Sequence, residues 1–191
     1  MAELKVVGMD PSLRHWGMCK GTFNTETQKL NLPESKLIVT EPLKDKRAQN
    51  IRDMETAETL MREVYSFAKG ADVVILECPV GSQSAAAMKG YAICVAIIAC
   101  LKCAGLTVIV TTPMQGKAVV TGVSDSKENA ALNITKKEVI NWVVERHEEV
   151  PLPRYKRHEE MLINMGEAEH IADSVISIYA GLSKIEEALK S

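Results

Sequence analysis

The sequence predicts an α/β fold with a mixed central sheet, in which three antiparallel strands are followed by parallel strands, and with helices on both faces. Three strand-like segments joined by short polar turns occupy the first forty residues, as in an antiparallel meander. After them, continuous apolar runs alternate with long amphipathic segments, which is typical of parallel strands covered by helices. The length of 191 residues predicts one domain that spans residues 1–191.

Turn residues bound each strand of the meander. Residues 4–10 form a short apolar run that Pro11 and Ser12 end. Residues 16–23 give the second strand, and residues 36–40 give the third after a turn rich in Asn, Thr and Gln. The short connections favour antiparallel neighbours.

Helix and strand patterns then alternate along the chain. Apolar positions recur every three or four residues over 47–69, and Gly70 ends that helix. The β-branched run over 71–77 predicts a strand that is covered on both faces. Thr135 with Glu138 three residues later predicts an N-terminal capping box. The other predicted elements are a helix over 84–103, a strand over 107–111, a short helix over 115–120, a loop over 122–133, a helix over 135–147, a basic linker-like loop over 151–157 and a helix over 167–182.

The charge balance excludes a protein that coats nucleic acid by bulk electrostatics. The net charge is −2 and the sequence pI is near 6.1, whereas such coating needs many cations to neutralise phosphates. Positive charge nevertheless gathers locally and allows a basic face. The clustered cations are Lys44, Lys46, Arg47, Arg52, Lys136, Lys137, Arg154, Lys156 and Arg157.

The composition is that of an ordinary cytosolic globular protein, so we expect a cytoplasmic location, with the nucleoid or a replication site of the host cell as the alternative. No secretory signal pattern is visible, so we expect the protein not to be secreted. The apolar stretch 91–110 is interpreted as a helix followed by a buried strand, since Lys102 and the turn at Ala104 and Gly105 interrupt a membrane span. Cys100 and Cys103 are expected to pack in the core as thiols, with a zinc or redox role as the alternative.

Four residues at the ends or faces of separate elements predict a site for a divalent metal. Asp10 and Glu77 each end an apolar strand, while His170 and Asp173 lie three residues apart on one face of the last helix. Each has a structural alternative: a turn aspartate before proline, a solvated glutamate at a strand end, or a core histidine bonded to Asp173. Taken together they form a donor set for Mg²⁺ or Mn²⁺, because hard oxygens suit both ions and one imidazole suits Mn²⁺.

Four motifs in order resemble those of the RuvC family of Holliday-junction resolvases, within the RNase H-like fold. The segment 8–12, Gly-Met-Asp-Pro-Ser, followed by Gly17, resembles the opening motif, and residues 74–77 resemble the second acidic strand. Residues 115–122 resemble the basic Gln-x-Lys…Thr-Gly segment, and residues 169–174 resemble the terminal helix. The likeness extends from about residue 4 to 182.

The resemblance implies a homodimer that cuts two strands of a branched DNA symmetrically by two-metal hydrolysis, leaving 5′-phosphate and 3′-hydroxyl ends. Two Mg²⁺ or Mn²⁺ ions would be held by Asp10, Glu77, His170 and Asp173. Lys117 and Lys136 match basic positions near the scissile phosphate, and Lys117 is therefore also counted as catalytic. Residues 124–134 look like an insertion before Lys136, and the loop 78–81 lacks the aromatic that some members stack on junction bases.

Further contacts and rival functions follow from the same residues. Arg154 and Arg157 are predicted to contact DNA phosphates from the basic loop, with a solvated surface loop as the alternative. The first rival function is a catalytically silent RNase H-like module that binds branched nucleic acid or a protein. The second is an actin-like phosphotransferase, which the length disfavours because such enzymes use two domains of this kind.

Overall fold

A five-stranded mixed sheet forms the centre of the protein in the computed structural model, which describes residues 3–42, 45–79 and 84–190. The strands lie in the order β3-β2-β1-β4-β5; β1, β2 and β3 are antiparallel, whereas β1, β4 and β5 run parallel. The predicted mixed sheet is confirmed. The strands are β1 Glu3–Asp10, β2 His15–Asn24, β3 Lys29–Val39, β4 Val73–Glu77 and β5 Val108–Thr111.

Helices connect and cover these strands, and a second small sheet precedes the last long helix. The predicted loop over 122–133 contains a short helix, and the predicted basic loop over 151–157 instead contributes one strand of a β-hairpin. The helices are α1 Gln49–Ala68, α2 Ala85–Cys103, α3 Pro113–Thr121, α4 Ser126–Ala131, α5 Lys136–Arg146, α6 Met165–Gly181 and α7 Ile185–Ala188, and the hairpin strands are β6 Arg154–Arg157 and β7 Glu160–Ile163.

The two faces of the sheet bury separate apolar layers. Val7 and Met9 of β1 point to one face, where they pack with the buried side chains of α1 and α2. Leu4 and Val6 point to the other face, towards the buried side chains of α5 and α6. This division follows from the period of two along a strand, and it confirms helices on both faces.

Helix α6 lies against the backbone of the sheet because glycines remove the side chains between them. A Cβ built on Gly8 would lie 2.1 Å from the carbonyl oxygen of Ser174, and one built on Gly17 would lie 2.1 Å from that of His170. Both distances are far shorter than real contacts allow. The close approach therefore depends on these two positions, and it brings the polar residues of α6 next to β1 and β2.

Side-chain caps fix where α3 and α5 begin. Thr112 accepts from the Gln115 amide, and the Gln115 side chain accepts from the Thr112 amide in return. Thr135 and Glu138 form the same reciprocal pair at the start of α5, as the sequence predicted. Each cap satisfies amides that the first helical turn leaves without partners.

The cysteines divide into a buried and an exposed group. Cys19 and Cys94 are buried and Cys78 is partly buried, while Cys100 and Cys103 are exposed on α2. The expectation that Cys100 and Cys103 pack in the core was wrong. Both cysteines lie on the side of α2 that points away from the sheet. Across the described ranges, no helix has the length and apolar character needed to cross a membrane.

Candidate active site

Asp10 and Glu77 end neighbouring parallel strands and point to the face of the sheet that α6 covers. Gly8 pairs with Ile75, and Met9 pairs with Leu76, so the register places Asp10 beside Glu77. Val73 and Ile75 belong to the apolar layer on the α6 side. Since side chains alternate along a strand, Glu77 shares their side, and Asp10 likewise shares the side of Gly8.

Helix α6 brings its own polar residues to these two strand ends. Asp10 pairs with Gly17 across β1 and β2, and Gly17 lies directly under the backbone of His170. Asp173 is less than one turn further along the same helix, and its side chain is close enough to Asp10 and Glu77 to be affected by their charge. The four predicted ligands thus converge from three elements of the fold.

A cavity of about 370 Å³ opens where the carboxylates meet. Asp10, Glu77 and Asp173 line it together with Glu169, and residues of α3, of α5 and of the segment between α4 and α5 complete the lining. His170 does not line this cavity. The other lining residues are Pro113, Gly116, Lys117, Val120, Leu132, Asn133, Ile134, Thr135, Lys136, Val139 and Ile176.

Two acidic groups in the cavity, Asp173 and Glu77, have raised pKa values. Burial, followed by repulsion from Asp10, Glu169 and Glu77, raises the pKa of Asp173 to about 8, while His170 acts in the opposite direction. Burial and repulsion from Asp10 raise the pKa of Glu77 to about 7. These raised pKa values follow from burial and from the closeness of other acids, and groups with such values cluster at functional sites.

His170 bonds to Asp10 and stacks on a second imidazole. Its Nδ1 donates to Asp10 Oδ2 at 2.8 Å, and this bond raises the pKa of His170 with the help of the neighbouring acids, although burial acts in the opposite direction. The ring of His15 stacks parallel on that of His170, with centroids 5.2 Å apart and planes 4° apart. His15 was not predicted from the sequence, because no motif marks it and only the packing of α6 on β2 brings the rings together.

Two lysines, Lys117 and Lys136, also line the cavity. Lys136, the first residue of α5, forms an ion pair of 2.5 Å with Glu169, and this contact raises the pKa of Lys136. Lys117 of α3 donates from Nζ to the carbonyl oxygens of Ala130 and Leu132, the former at 3.3 Å. Glu169 was not predicted as a site residue, although it immediately precedes His170 in the sequence.

Arg154 and Arg157 lie on the exposed strand β6, outside the cavity. The register pairs Tyr155 with Leu162 and Arg157 with Glu160 in the hairpin, and all four residues of β6 are exposed. Within the described part of the chain, the side chains of Arg154 and Arg157 make no hydrogen bond or ion pair. The hairpin joins α6 directly, where the Asn164 amide donates to the carbonyl oxygen of Pro153 at 2.9 Å.

The other basic cluster, near the start of α1, is engaged in local contacts. Arg47 pairs with Asp45 and Glu55, and Arg52 donates to the carbonyl oxygen of Asp45 at 3.1 Å. Lys44 lies outside the described residues, as do residues 80–81 of the loop after Glu77.

The donor set fits a hard divalent cation. Three carboxylates share one cavity, and an imidazole holds one of them in place from behind, as second-shell groups do for metal ligands. As the side chains are placed, no three acidic, histidine or cysteine residues in the described ranges are grouped closely enough to enclose an ion. Binding a cation would therefore require the carboxylates to turn towards one another.

Comparison with solved structures identifies the fold of the chain as the RNase H-like α/β fold seen in Holliday junction resolvases. No protein-family model matches the chain, and no curated protein matches it. The chain shares its fold with RuvC and other Holliday junction resolvases, which confirms at the level of the fold the resemblance found in the sequence. One match is Thermus thermophilus RuvC in complex with a Holliday junction substrate, with a TM-score of 0.61, 16% identity and coverage of 96% of each chain. The fowlpox virus Holliday junction resolvase matches with a TM-score of 0.51 and 18% identity over 96% of this chain and 99% of that chain. The yeast mitochondrial Holliday junction resolvase Ydc2 matches with a TM-score of 0.53 and 12% identity over 97% of this chain and 81% of that chain.

Proposed function

We propose that this protein is a structure-selective endodeoxyribonuclease that depends on Mg²⁺ or Mn²⁺ and cuts Holliday junctions or related branched DNA. The observation that carries the proposal is the convergence of Asp10, Glu77 and Asp173 on one cavity that also contains Lys117 and Lys136. The fold shared with Holliday junction resolvases supports the choice of substrate. A silent binding module would not need Asp10, Glu77 and Asp173 gathered in one cavity.

The acidic residues are proposed to hold two cations. Asp10, Glu77 and Asp173 would supply oxygen ligands, and His170 would either join them or orient Asp10 through the bond at 2.8 Å. The chemistry that a bound pair of such ions supplies is activation of a water and stabilisation of the leaving 3′ oxygen. The acidic pair of Glu77 and Asp173 must lose its protons before binding, since only carboxylates are ligands.

The lysines are proposed to contact the scissile phosphate. Lys117 and Lys136 line the same cavity as the carboxylates, so a phosphate bound there would be within reach of both the acidic ligands and the ammonium groups. A positioned cation stabilises the charge that develops on a phosphate during displacement. Lys136 would exchange its ion pair with Glu169 for a phosphate oxygen.

The β6–β7 hairpin is proposed to hold an arm of the DNA beside the cut. Arg154, Lys156 and Arg157 present three cations within four exposed residues, and Tyr155 among them is 45% exposed. A two-stranded ribbon fits the major groove of a duplex, and unpaired cations bind phosphates. At about 1.5 Å per helical residue, the start of α6 lies about 12 Å along the axis from Asp173, so the hairpin would meet phosphates a few base pairs from the cut.

A homodimer is proposed through the outer face of α2. Met88, Ala92, Ala96, Ala99 and Cys103 follow one another on a single side of this helix, and all five are exposed. An apolar helix face left in solvent is unfavourable, and a second copy of the same face would cover it symmetrically. Replacement of Ala96 by Glu is expected to give a monomer in light scattering after gel filtration. A dimer that persists in this variant would place the interface elsewhere.

The central experiment incubates the protein with a labelled four-way junction, a flap and a plain duplex, with Mg²⁺, with Mn²⁺ and with EDTA. We expect cutting of branched DNA only with a cation, and 5′-phosphate and 3′-hydroxyl ends in the products. Asp10→Asn and Asp173→Asn are expected to reduce cutting by about 10³-fold, or about 4 kcal/mol in the barrier, while junction binding is retained. Glu26→Gln, in an exposed turn, serves as the matched control.

Two outcomes would decide against the nuclease. Retained nicking by both Asp variants would show that the carboxylates do not hold the catalytic ions. Junction binding without cutting by the wild-type protein under any of the cation conditions would favour the silent module.

A further inference from the structure

We infer that Asn129 is a positioning residue for Lys117, and that helix α4 holds the Lys117 ammonium at the edge of the carboxylate cavity. The inference deepens the proposed function and rests on it, because the purpose of holding Lys117 is contact with the scissile phosphate. The segment that contains α4 otherwise has no role in the site, since none of its helical residues lines the cavity.

Asn129 ties α4 to both ends of α3. Its side chain is buried, with 1% exposed. Its Nδ2 donates to the carbonyl oxygen of Met114 at 3.2 Å, in the first turn of α3. Its Oδ1 accepts from Thr121 Oγ1 at 3.1 Å, in the last residue of α3. A carboxamide is required for this pair of contacts because it offers a donor and an acceptor on one planar group.

The end of α4 in turn holds Lys117. The helix begins at Asp125, whose carboxylate accepts from the amides of Lys127 and Glu128 at 3.0 and 2.9 Å. The carbonyl oxygens of Ala130 and Leu132 at its other end accept from Lys117 Nζ. A cation at a helix C-terminus is favourable because the last carbonyls lack partners and carry partial negative charge.

Two of the three donors of the ammonium group are occupied by these carbonyls, and the third remains for a phosphate oxygen. A lysine side chain is flexible, so a group held in advance loses less freedom when substrate binds. Leu132, whose carbonyl accepts from Lys117, lines the same cavity as Asp10 and Glu77. The chain of contacts thus runs from the Asn129 amide, through α4, to the ammonium.

The kinetic test is a double-mutant cycle between Asn129→Ala and Lys117→Met, read as the single-turnover rate of junction cutting at saturating protein. We expect Lys117→Met to slow cutting about 100-fold and Asn129→Ala about 10-fold, and the double variant to cut no more slowly than Lys117→Met. Losses that multiply in the double variant would overturn the inference. An unchanged rate in Lys117→Met would instead refute the proposed role of this lysine at the phosphate.

A second test does not depend on cutting. The rate at which an amine-reactive ester labels Lys117 is measured by mass spectrometry in the wild type, in Asn129→Ala and in Asn129→Asp, which keeps the size and an acceptor but loses the donor. We expect both variants to label Lys117 at least several-fold faster, while labelling of the exposed Lys127 stays unchanged. Equal labelling of Lys117 in wild type and variants would overturn the inference whether or not the protein cuts DNA.

Discussion

Replacement of Asp173 by Asn is expected to stabilise the protein in EDTA while it abolishes cutting. Burial and the neighbouring acids raise the pKa of Asp173 from 3.8 to about 8. Between these values the unfolded chain carries the ionised carboxyl and the folded chain carries the protonated form. The folded protein therefore binds more protons, and its free energy of unfolding falls as the pH rises from about 4 to about 8.

The size of this effect follows from the two pKa values. At about 1.4 kcal/mol for each pH unit, the cost of folding with Asp173 reaches about 4 kcal/mol at pH 7 and about 6 kcal/mol above pH 8. The neutral amide of Asn has no such cost at any pH. The gain from Asp173→Asn is therefore close to zero at pH 4 and several kcal/mol at pH 8, with about 6 kcal/mol as the upper limit.

Urea unfolding in EDTA at several pH values between 4 and 8 measures this directly for the wild type, Asp173→Asn and the control Glu26→Gln. The difference between wild type and Asp173→Asn should widen with pH, and Glu26→Gln should follow the wild type. Parallel curves for wild type and Asp173→Asn would refute the reasoning, because the carboxyl would then have the same proton affinity in both states.

Three other predictions concern metal binding, helix packing and DNA contact. Glu77 and Asp173, with pKa values of about 7 and about 8, must release their protons before they bind Mg²⁺, so the apparent affinity for Mg²⁺ should rise between pH 6 and pH 8. Calorimetry in two buffers should detect the released protons. An affinity that does not change with pH would contradict this prediction. Gly17→Ala places a methyl group 2.1 Å from the carbonyl oxygen of His170. This substitution should lower the free energy of unfolding by about 2 kcal/mol or more and eliminate cutting. An unchanged melting temperature would show that α6 does not lie so close to β2. Arg154→Gln and Arg157→Gln should each reduce the slope of log affinity for junction DNA against log salt concentration by about 0.9. The control Lys29→Gln, at the start of β3, should leave this slope unchanged. Equal slopes in all variants would exclude phosphate contacts by the hairpin.

The elements of the central sheet were predictable because their signals are local. The β-branched run that ends at Glu77 and the apolar run that ends at Asp10 mark buried strands by composition alone. The predicted capping box at Thr135 formed for the same reason, since a cap involves only residues three apart. The prediction failed where the hydrophobic pattern was weak, as in α4. This six-residue helix has no apolar face, and the residue that it buries is the polar Asn129.

The exposure of Cys100 and Cys103 shows a second limit. Helix α2 is apolar on nearly all sides, so its sequence does not tell which side meets the sheet. Leu101 is buried between the two exposed cysteines, and this choice of side depends on how α2 packs against α1 and β5. Composition indicated burial for the whole helix, whereas packing buries one side.

The sequence by itself determined the strands of the central sheet, the long helices and the acids at their ends, because spacing along the chain sets which side chains share a face. Tertiary packing decided the partners of those acids. It joined His170 to Asp10, stacked His15 on His170 and placed Lys117 against the end of α4. These contacts link residues from separate elements, and in the case of His170 and Asp10 residues 160 positions apart, so no local period encodes them. They arise only when glycines let α6 approach the sheet and the helices settle on its two faces.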